Sequence, residues 1–303
     1  MTGIILSVIA AMFFPGIILR VKSRMSGRKG PGIMQPWKNI VVLLRKGSVI
    51  SNTTSYIFRF APLAYLATIV CAIALLPFPG IHSFWGFDGD FILFAYLLGL
   101  GKFFFIIGAM DTGSSFEGMG ANREALYSML VEPAFFILFG TMAMITGHSS
   151  MQEIFALFHF SGHNAFIIGI IAIYLLIQVA MIENSRMPVD DPKTHLELTM
   201  IHEVMILDHS GFDLALVHIG TNLKFAMYGL LITNIILPSE ISLALRLGSF
   251  LGIQIIFAGL IGLMESFRAR KKLVKNPQFI LALSSIALVG FILSLLLMNR
   301  MIF

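Results

Sequence analysis

Hydrophobic residues run along this chain in long, almost uninterrupted stretches. Each stretch is about twenty residues long, the length that an α-helix needs to cross the hydrocarbon core of a bilayer. The pattern predicts an all-α, polytopic membrane protein with eight transmembrane helices. The predicted spans lie at roughly 3–19, 58–79, 90–110, 125–146, 163–183, 213–237, 241–265 and 277–299.

Two further apolar segments are too short to span a membrane. In the segment around 36–50, apolar residues recur at helical spacing between Lys38 and Arg45. This pattern predicts a short surface helix in the first cytoplasmic loop. The segment 151–160 is a second candidate for an interfacial helix. Because short loops join the spans, we expect a single membrane domain over residues 1–303.

The composition agrees with a membrane protein. Hydrophobic residues make up 57% of the chain and charged residues only 12%, whereas soluble domains have about 25% charged residues. Cys71 is the single cysteine, which excludes an internal disulfide, a thiolate zinc site or an iron–sulfur cluster held by this chain. Since no pair of intramembrane histidines is present to bind haem, we expect no cofactor in this chain.

The positive charges are distributed unevenly. Sixteen of the 21 Lys and Arg residues lie in the loops after the first, third, fifth and seventh predicted spans, and a seventeenth, Arg59, follows the first of these loops at the start of the second span. Loops rich in Lys and Arg face the cytoplasm. The distribution predicts that these loops are cytoplasmic and that both termini lie outside, in a prokaryotic cytoplasmic (inner) membrane. The formal charge of +5 therefore reflects topology, and no nucleic-acid partner is expected.

Charged side chains within a bilayer cost several kcal/mol and are kept when they are paired or functional. Glu132 lies well inside the fourth span and precedes Pro133, which removes a helix hydrogen bond. Glu132 has two interpretations, a proton relay or an ion pair with a buried lysine. For residues at span ends, snorkelling is the alternative to function. The charged residues concerned are Lys102, Glu132, Glu183, Lys224, Arg246 and Glu265.

The loop 183–213 is the most polar stretch, with seven acidic residues against two basic ones. His195, His202 and His209 recur every seven residues, which would place them on one helical face. Two helical turns separate neighbours by about 10 Å, too far for them to bind one metal ion together. We therefore interpret this histidine stripe as a polar face that docks on a partner protein.

Three polar segments, in this order and with eight spans, resemble the respiratory-chain NADH dehydrogenase subunit 1 family. That family includes the NuoH subunit of complex I and the corresponding membrane subunit of formate hydrogenlyases and other energy-converting NiFe hydrogenases. The resemblance covers nearly the whole chain. The segments are Arg28-Lys29-Gly30-Pro31-Gly32-Ile33-Met34-Gln35-Pro36, Gly120-Ala121-Asn122-Arg123 with Glu132 nine positions after the arginine, and Glu183-Asn184-Ser185-Arg186-Met187-Pro188-Val189-Asp190.

The resemblance implies a non-catalytic subunit that anchors a peripheral redox arm to antiporter-like membrane subunits. The NiFe centre and the iron–sulfur clusters would then belong to the peripheral partner subunits. The implied proton-pathway residues are Glu132, Glu183, Arg186, Asp190 and Glu197. The implied docking residues for the peripheral arm are Arg28, Lys29, Gly30, Pro31, Gln35, Pro36, Arg123 and Asp191. Arg186 is expected to hold Glu183 in its ionised form.

Two departures from the complex I pattern favour the hydrogenase side of the family. A glycine-rich insertion within the first segment is missing. Three alternate positions after Asp190 hold Lys193, His195 and Glu197, where complex I chains have three glutamates of the quinone funnel. We therefore expect a membrane-anchor and proton-pathway subunit of a membrane-bound, formate hydrogenlyase-like hydrogenase complex. The alternatives are the equivalent subunit of a quinone-reducing, complex I-like dehydrogenase and a self-sufficient ion transporter.

Overall fold

The computed structural model describes residues 2–158, 163–191, 200–238 and 241–299. Eight of its helices, namely α1, α3, α4, α5, α7, α9, α10 and α11, are long and apolar enough to cross a membrane. The prediction of an all-α protein with eight membrane-spanning helices is confirmed. The helices are α1 Thr2–Met25, α2 Gln35–Leu44, α3 Tyr56–Leu75, α4 Asp90–Asp111, α5 Ser115–Thr146, α6 Met151–Leu157, α7 His163–Glu183, α8 His202–Met205, α9 Gly211–Ile236, α10 Leu243–Phe267 and α11 Asn276–Asn299, with a 3-10 turn at Leu273–Lys275 before α11.

Helix α9 forms the centre of the bundle. Its most apolar stretch is 78% buried, the largest fraction among the eight spans. Phe225 of α9 stacks on Phe14 of α1 with ring centroids 5.2 Å apart, and Phe257 of α10 packs edge-on to Phe14 at 5.3 Å. Offset and edge-on contacts are the favourable arrangements of aromatic rings, so these three helices share one continuous core.

The loops after α1, α4, α7 and α10 lie at one end of the bundle, which we call the basic end. Hydrogen bonds join them to one another. They run from the Val49 N–H to Ser210 Oγ (2.8 Å), from the Ser55 N–H to Asp111 Oδ2 (2.6 Å) and from the Lys271 N–H to Pro188 O (3.0 Å). The four loops that sequence analysis assigned to one side of the membrane are therefore neighbours in space.

The predicted surface helix forms as α2, where Ile40 is buried and Val42 and Leu44 remain exposed. Helix α6 also forms, over Met151–Leu157. It packs Met151 and Ile154 into the bundle core, and the Met151 N–H donates to Asp90 Oδ1 at 2.6 Å. That bond ties α6 to the start of α4 at the end opposite the basic one.

Helix α5 begins at Ser115, ten residues before the predicted fourth span. Gly120 lies inside this helix, although sequence analysis placed its segment in a loop. A side chain at Gly120 would lie 2.3 Å from Val204 Cγ1 and 2.9 Å from the Ile201 carbonyl oxygen. The glycine therefore permits close packing of α5 against α8 and does not mark a turn, which explains why the predicted boundary was wrong.

Candidate functional site: a buried network of charged residues

Four charged side chains form a continuous network inside the bundle. Lys102 of α4 lies 2.9 Å from Glu124 Oε1 of α5 and 3.0 Å from Glu183 Oε1 of α7. The second oxygen of Glu183 lies 2.7 Å from the ammonium of Lys224 on α9. All four residues are buried. Two carboxylates balance two ammonium groups, as burial of charge requires.

The end of α7 positions Glu183 between the two lysines. Glu183 is the last residue of this helix, and the Lys224 ammonium also donates to the Glu183 carbonyl oxygen at 3.1 Å. The next turn contains Ser185 in the left-handed conformation, with φ of 47°. Ser185 Oγ donates to Glu124 Oε2 at 3.2 Å, so the turn after α7 helps to hold Glu124 in place.

Glu124 and its neighbours follow one face of α5. Glu124, Ser128 and Glu132 recur at four-residue spacing, which aligns side chains along one helix face. Lys102 donates to Ser128 Oγ at 2.8 Å. Glu124 was not among the predicted site residues, because the fourth span was predicted to begin at 125. Its position eight residues, or about two helical turns, before Glu132 was the signal that would have identified it.

Glu132 borders a small cavity beside this network. Lys102, Ser128, Glu183 and Tyr228 also line that cavity, whose volume is about 30 Å³, enough for at least one water molecule. Glu132 is exposed at the surface of the isolated chain. Residues of α4, α7 and α9 line the cavity with Glu132, and these helices leave its side chain partly uncovered.

The alternative interpretation of Glu132, an ion pair with a buried lysine, does not match the geometry. Among the described residues, Lys102 and Lys224 have their carboxylate partners in Glu124 and Glu183. No ion pair or hydrogen bond to the Glu132 carboxylate is found in the same part of the chain. Glu132 therefore faces the cavity without neutralising either lysine.

A second buried cluster surrounds Glu265 of α10. Lys22 of α1 lies 2.8 Å from its carboxylate, and Arg186 lies 3.3 Å from the other oxygen. The guanidinium of Arg186 also lies over the ring of Phe225 at 5.2 Å. The expectation that Arg186 holds Glu183 ionised is wrong, because Arg186 points towards α10 while Lys102 and Lys224 occupy both oxygens of Glu183.

Asp190 connects three segments at the basic end. Its carboxylate accepts from Arg270 at 2.7 Å and from the backbone N–H groups of Asp191, Ile201 and His202 at 2.9–3.2 Å. Burial raises the pKa of the Asp190 carboxyl, although Arg270 and the backbone donors act in the opposite direction. The geometry assigns Asp190 the task of holding this loop together.

The remaining predicted site residues differ in their exposure. Arg28, Lys29, Pro31 and Gln35 are exposed on the loop between α1 and α2 and at the start of α2, while Gly30, Pro36, Asp191 and Arg123 are partly buried. The guanidinium of Arg123 donates to the Met200 carbonyl oxygen at 3.0 Å. The Arg123 side chain therefore points towards the loops of the basic end. Glu197, with Lys193 and His195, lies outside the described residues.

His202 and His209 do not form an exposed stripe. His209 stacks on Phe58 with ring centroids 4.0 Å apart, and His202 packs on Phe105 at 5.3 Å. Burial lowers the pKa of His202 to about 3 and that of His209 to about 4, so both rings are neutral at neutral pH. The interpretation of these two residues as a docking face is wrong, because both rings pack inwards. In the part of the chain that the structure describes, no group of three His, Cys, Asp or Glu side chains is placed to hold a metal ion.

Comparison with known proteins shows the family of this fold. The sequence model of the family described as NADH dehydrogenase matches residues 1–299. Hydrogenase-4 component C of Escherichia coli is 33% identical over 78% of this chain and 75% of its own length. Formate hydrogenlyase subunit 4 of Escherichia coli is 28% identical over 71% of this chain and 69% of its own length.

A solved structure shares the same fold. A chain of the membrane-bound sulfane sulfur reductase, an archaeal respiratory membrane complex, superposes with a TM-score of 0.83 over 96% of both chains at 21% identity. At that level of identity the likeness concerns the fold alone. The family model and the relatives from Escherichia coli confirm the family resemblance that the three polar segments suggested.

Proposed function

The chain belongs to the NADH dehydrogenase subunit 1 family, and we propose that it is the membrane-anchor and proton-pathway subunit of an energy-converting, formate hydrogenlyase-like hydrogenase complex. In this role it couples electron transfer in a peripheral arm to ion translocation across the membrane. The observation that carries the proposal is the buried network from Glu124 through Lys102 and Glu183 to Lys224, with Glu132 on the adjoining cavity.

The two relatives are named as components of hydrogenase and formate hydrogenlyase, which supports a hydrogenase-type partner arm. We propose that this arm contains a NiFe hydrogenase-like subunit and iron–sulfur subunits, which hold all of the redox cofactors. The arm would dock on the basic end through the exposed residues Arg28, Lys29 and Gln35. Antiporter-like membrane subunits would contact the sides of the bundle within the membrane.

The same proposal sets the orientation in the membrane. The basic end carries most of the lysines and arginines, so it faces the cytoplasm, and both termini lie on the outer side of a prokaryotic inner membrane. All eight spans then form a single membrane domain. Membership of a family of complex subunits argues against a self-sufficient ion transporter.

Glu132 provides the direct test of the proton pathway. Glu132→Gln removes the ionisable group without burying a new charge, and no ion pair in the described structure depends on it. We expect the complex to assemble, and its peripheral redox reaction to remain measurable with artificial acceptors, while proton-gradient formation in sealed vesicles is lost. Glu132→Asp retains part of the gradient, because it keeps a carboxylate at this position.

The matched control is Glu153→Gln. It changes an exposed glutamate of α6, at the end of the bundle opposite the basic end. A Glu132→Gln complex that assembles normally and forms a gradient at the wild-type ratio would exclude the pathway through Glu132. The family description also suits the equivalent subunit of a quinone-reducing dehydrogenase. Assays of the purified complex for hydrogen evolution and for quinone reduction separate these two functions.

A further inference from the structure

We propose that Lys102 is a mobile cation that exchanges between Glu124 in the network and Glu132 across the cavity, and that this exchange moves the proton. The inference deepens the proposed function and rests on it. Three observations point to Lys102. Its ammonium has two carboxylate partners, its side chain lines the cavity, and Glu132 lines the same cavity.

The direction of the Lys102 stem brings Glu132 within reach. Long side chains on a helix lean back over the turn that precedes them, so the stem of Lys102 lies over Leu98 and Gly99. A Cβ atom at Gly99 would lie 3.6 Å from Glu132 Oε1. Residues three apart on a helix have Cβ atoms about 5–6 Å apart, a separation that a lysine stem can bridge by changing rotamer.

The cavity gives Lys102 room to move. Its lining includes Gly99, which has no side chain, and Ser128, whose hydroxyl already accepts from the ammonium at 2.8 Å. Ser128 lies one turn from Glu124 and one turn from Glu132 on α5. The hydroxyl can therefore remain in contact with the ammonium while the carboxylate partner changes.

The charges balance during the exchange. The first state of the proposal has the pairing of the structure, with Lys102 beside Glu124, and it places a proton on Glu132. When Lys102 moves to Glu132, the ammonium keeps its own protons, Glu132 releases its proton and Glu124 takes one up. One proton enters at Glu124 and one leaves at Glu132, while the net charge of the three groups stays constant. Glu183 keeps Lys224 as a partner in both states.

A steric variant tests this movement without changing a charge. Gly99→Leu fills the space between Lys102 and Glu132, so we expect loss of gradient formation while the complex assembles and its redox reaction remains measurable. The matched control is Gly259→Leu on α10, because no atom lies within 4 Å of a Cβ built there. Normal coupling in an assembled Gly99→Leu complex would overturn the exchange of Lys102.

Carbodiimide labelling provides a second readout that does not depend on Gly99→Leu assembling. A protonated carboxyl gives its proton to a nitrogen of a hydrophobic carbodiimide, and its oxygen then bonds to the carbodiimide carbon, so we expect labelling of Glu132 in the wild-type complex. Glu124→Gln removes one carboxylate partner of Lys102 and favours the pair with Glu132, which lowers the labelling of Glu132. Lys102→Gln removes the cation and does not lower it. Unchanged labelling of Glu132 in Glu124→Gln would contradict the exchange.

Failure of this inference is distinguishable from failure of the proposed function. If Glu132→Gln abolishes the gradient but Gly99→Leu and the labelling of Glu124→Gln match the wild type, the pathway through Glu132 stands and Lys102 is a fixed structural cation. If Glu132→Gln itself couples normally, the proposed pathway fails, and the exchange of Lys102 fails with it.

Discussion

The carboxylate of Glu183 lies 2.7 Å from the ammonium of Lys224, and its other oxygen lies 3.0 Å from Lys102. One buried carboxylate therefore forms ion pairs with cations of two different helices, α4 and α9. Since Glu183 is also the last residue of α7, three spans depend on a single side chain at the point where they approach the basic end.

Glu183→Gln should destabilise the subunit, because it leaves Lys224 buried without a charged partner. Removing one member of a buried ion pair costs about 3–5 kcal/mol. We expect a lower thermal unfolding temperature in detergent and a reduced level of assembled complex. Glu153→Gln serves as the exposed control, with a change within about 0.5 kcal/mol. A Glu183→Gln protein as stable as the wild type would show that Lys224 is not held by this carboxylate.

The Glu265 cluster should respond unequally to removal of its members. Glu265→Gln leaves both Lys22 and Arg186 without their carboxylate, whereas Lys22→Met leaves Glu265 paired with Arg186. We expect Glu265→Gln to lower the unfolding temperature more than Lys22→Met does. The side chain of Lys22 is also 19% exposed, so water replaces part of the lost contact. Equal losses in the two variants would show that Arg186 does not compensate.

Two buried histidines should make the basic end sensitive to acid. The pKa of His209 falls from 6.5 to about 4 and that of His202 to about 3 on burial. The unfolded chain therefore binds more protons than the folded one between these values and pH 6.5, and stability is lost as the pH falls below about 6.5. Each histidine contributes a slope of at most about 1.4 kcal/mol per pH unit.

His209→Phe tests the contribution of one ring. Phenylalanine preserves the stack on Phe58, and Nδ1 of His209 has no hydrogen-bond partner among the described residues. We expect the unfolding temperature of this variant to fall less between pH 7 and pH 5 than that of the wild type. A wild-type pH dependence of the unfolding temperature in His209→Phe would show that protonation of His209 does not cause the acid sensitivity.

Topology can be checked at the loops that the structure groups together. Reporter fusions after Lys46, Asp191 and Lys272 should all report one side of the membrane, because their loops meet at the basic end. Fusions after Gly86 and Ser150 should report the other side. We expect the first group to be cytoplasmic. A cytoplasmic signal at Ser150 would contradict the order of the spans.

The spans were predictable from the sequence, whereas the pairing of charges was not. A run of twenty apolar residues is a local signal that hydropathy alone reveals. The partner of Arg186 is not local, because Glu265 lies on another helix 79 positions along the chain. Which of several acidic residues faces a given cation depends on how the helices rotate and pack, and apolar runs carry little information about rotation.

The start of α5 illustrates the same limit. Residues 115–124 were left outside the fourth span, because its apolar run was predicted to begin at 125. In the structure these residues are helical, and the absence of a side chain at Gly120 allows α5 to approach α8 closely. The misplaced boundary then removed Glu124 from the predicted span, and with it the residue that completes the network around Lys102.

Asp190 was expected to belong to the proton pathway. Its neighbour Asp191 was expected to take part in docking of the peripheral arm. Arg270→Met leaves the buried Asp190 carboxylate without the guanidinium at 2.7 Å, but the three backbone donors remain. We expect the loops around Asp190 and Ile201 to loosen while the spans stay folded. Amide hydrogen exchange should then rise in these loops and remain unchanged in α9.

Arg268→Met is the matched control, because the one hydrogen bond of the Arg268 guanidinium to a described residue is a long one, 3.4 Å to Gln178. If the loop that Asp190 organises contacts the peripheral arm, Arg270→Met should weaken co-purification of the arm, and Arg268→Met should not. Charge reversal at the exposed Arg28 and Lys29 should release the arm without altering hydrogen exchange in the Asp190 loop. A released arm with unchanged exchange in Arg270→Met would mean that Arg270 contacts the arm itself and does not act through Asp190.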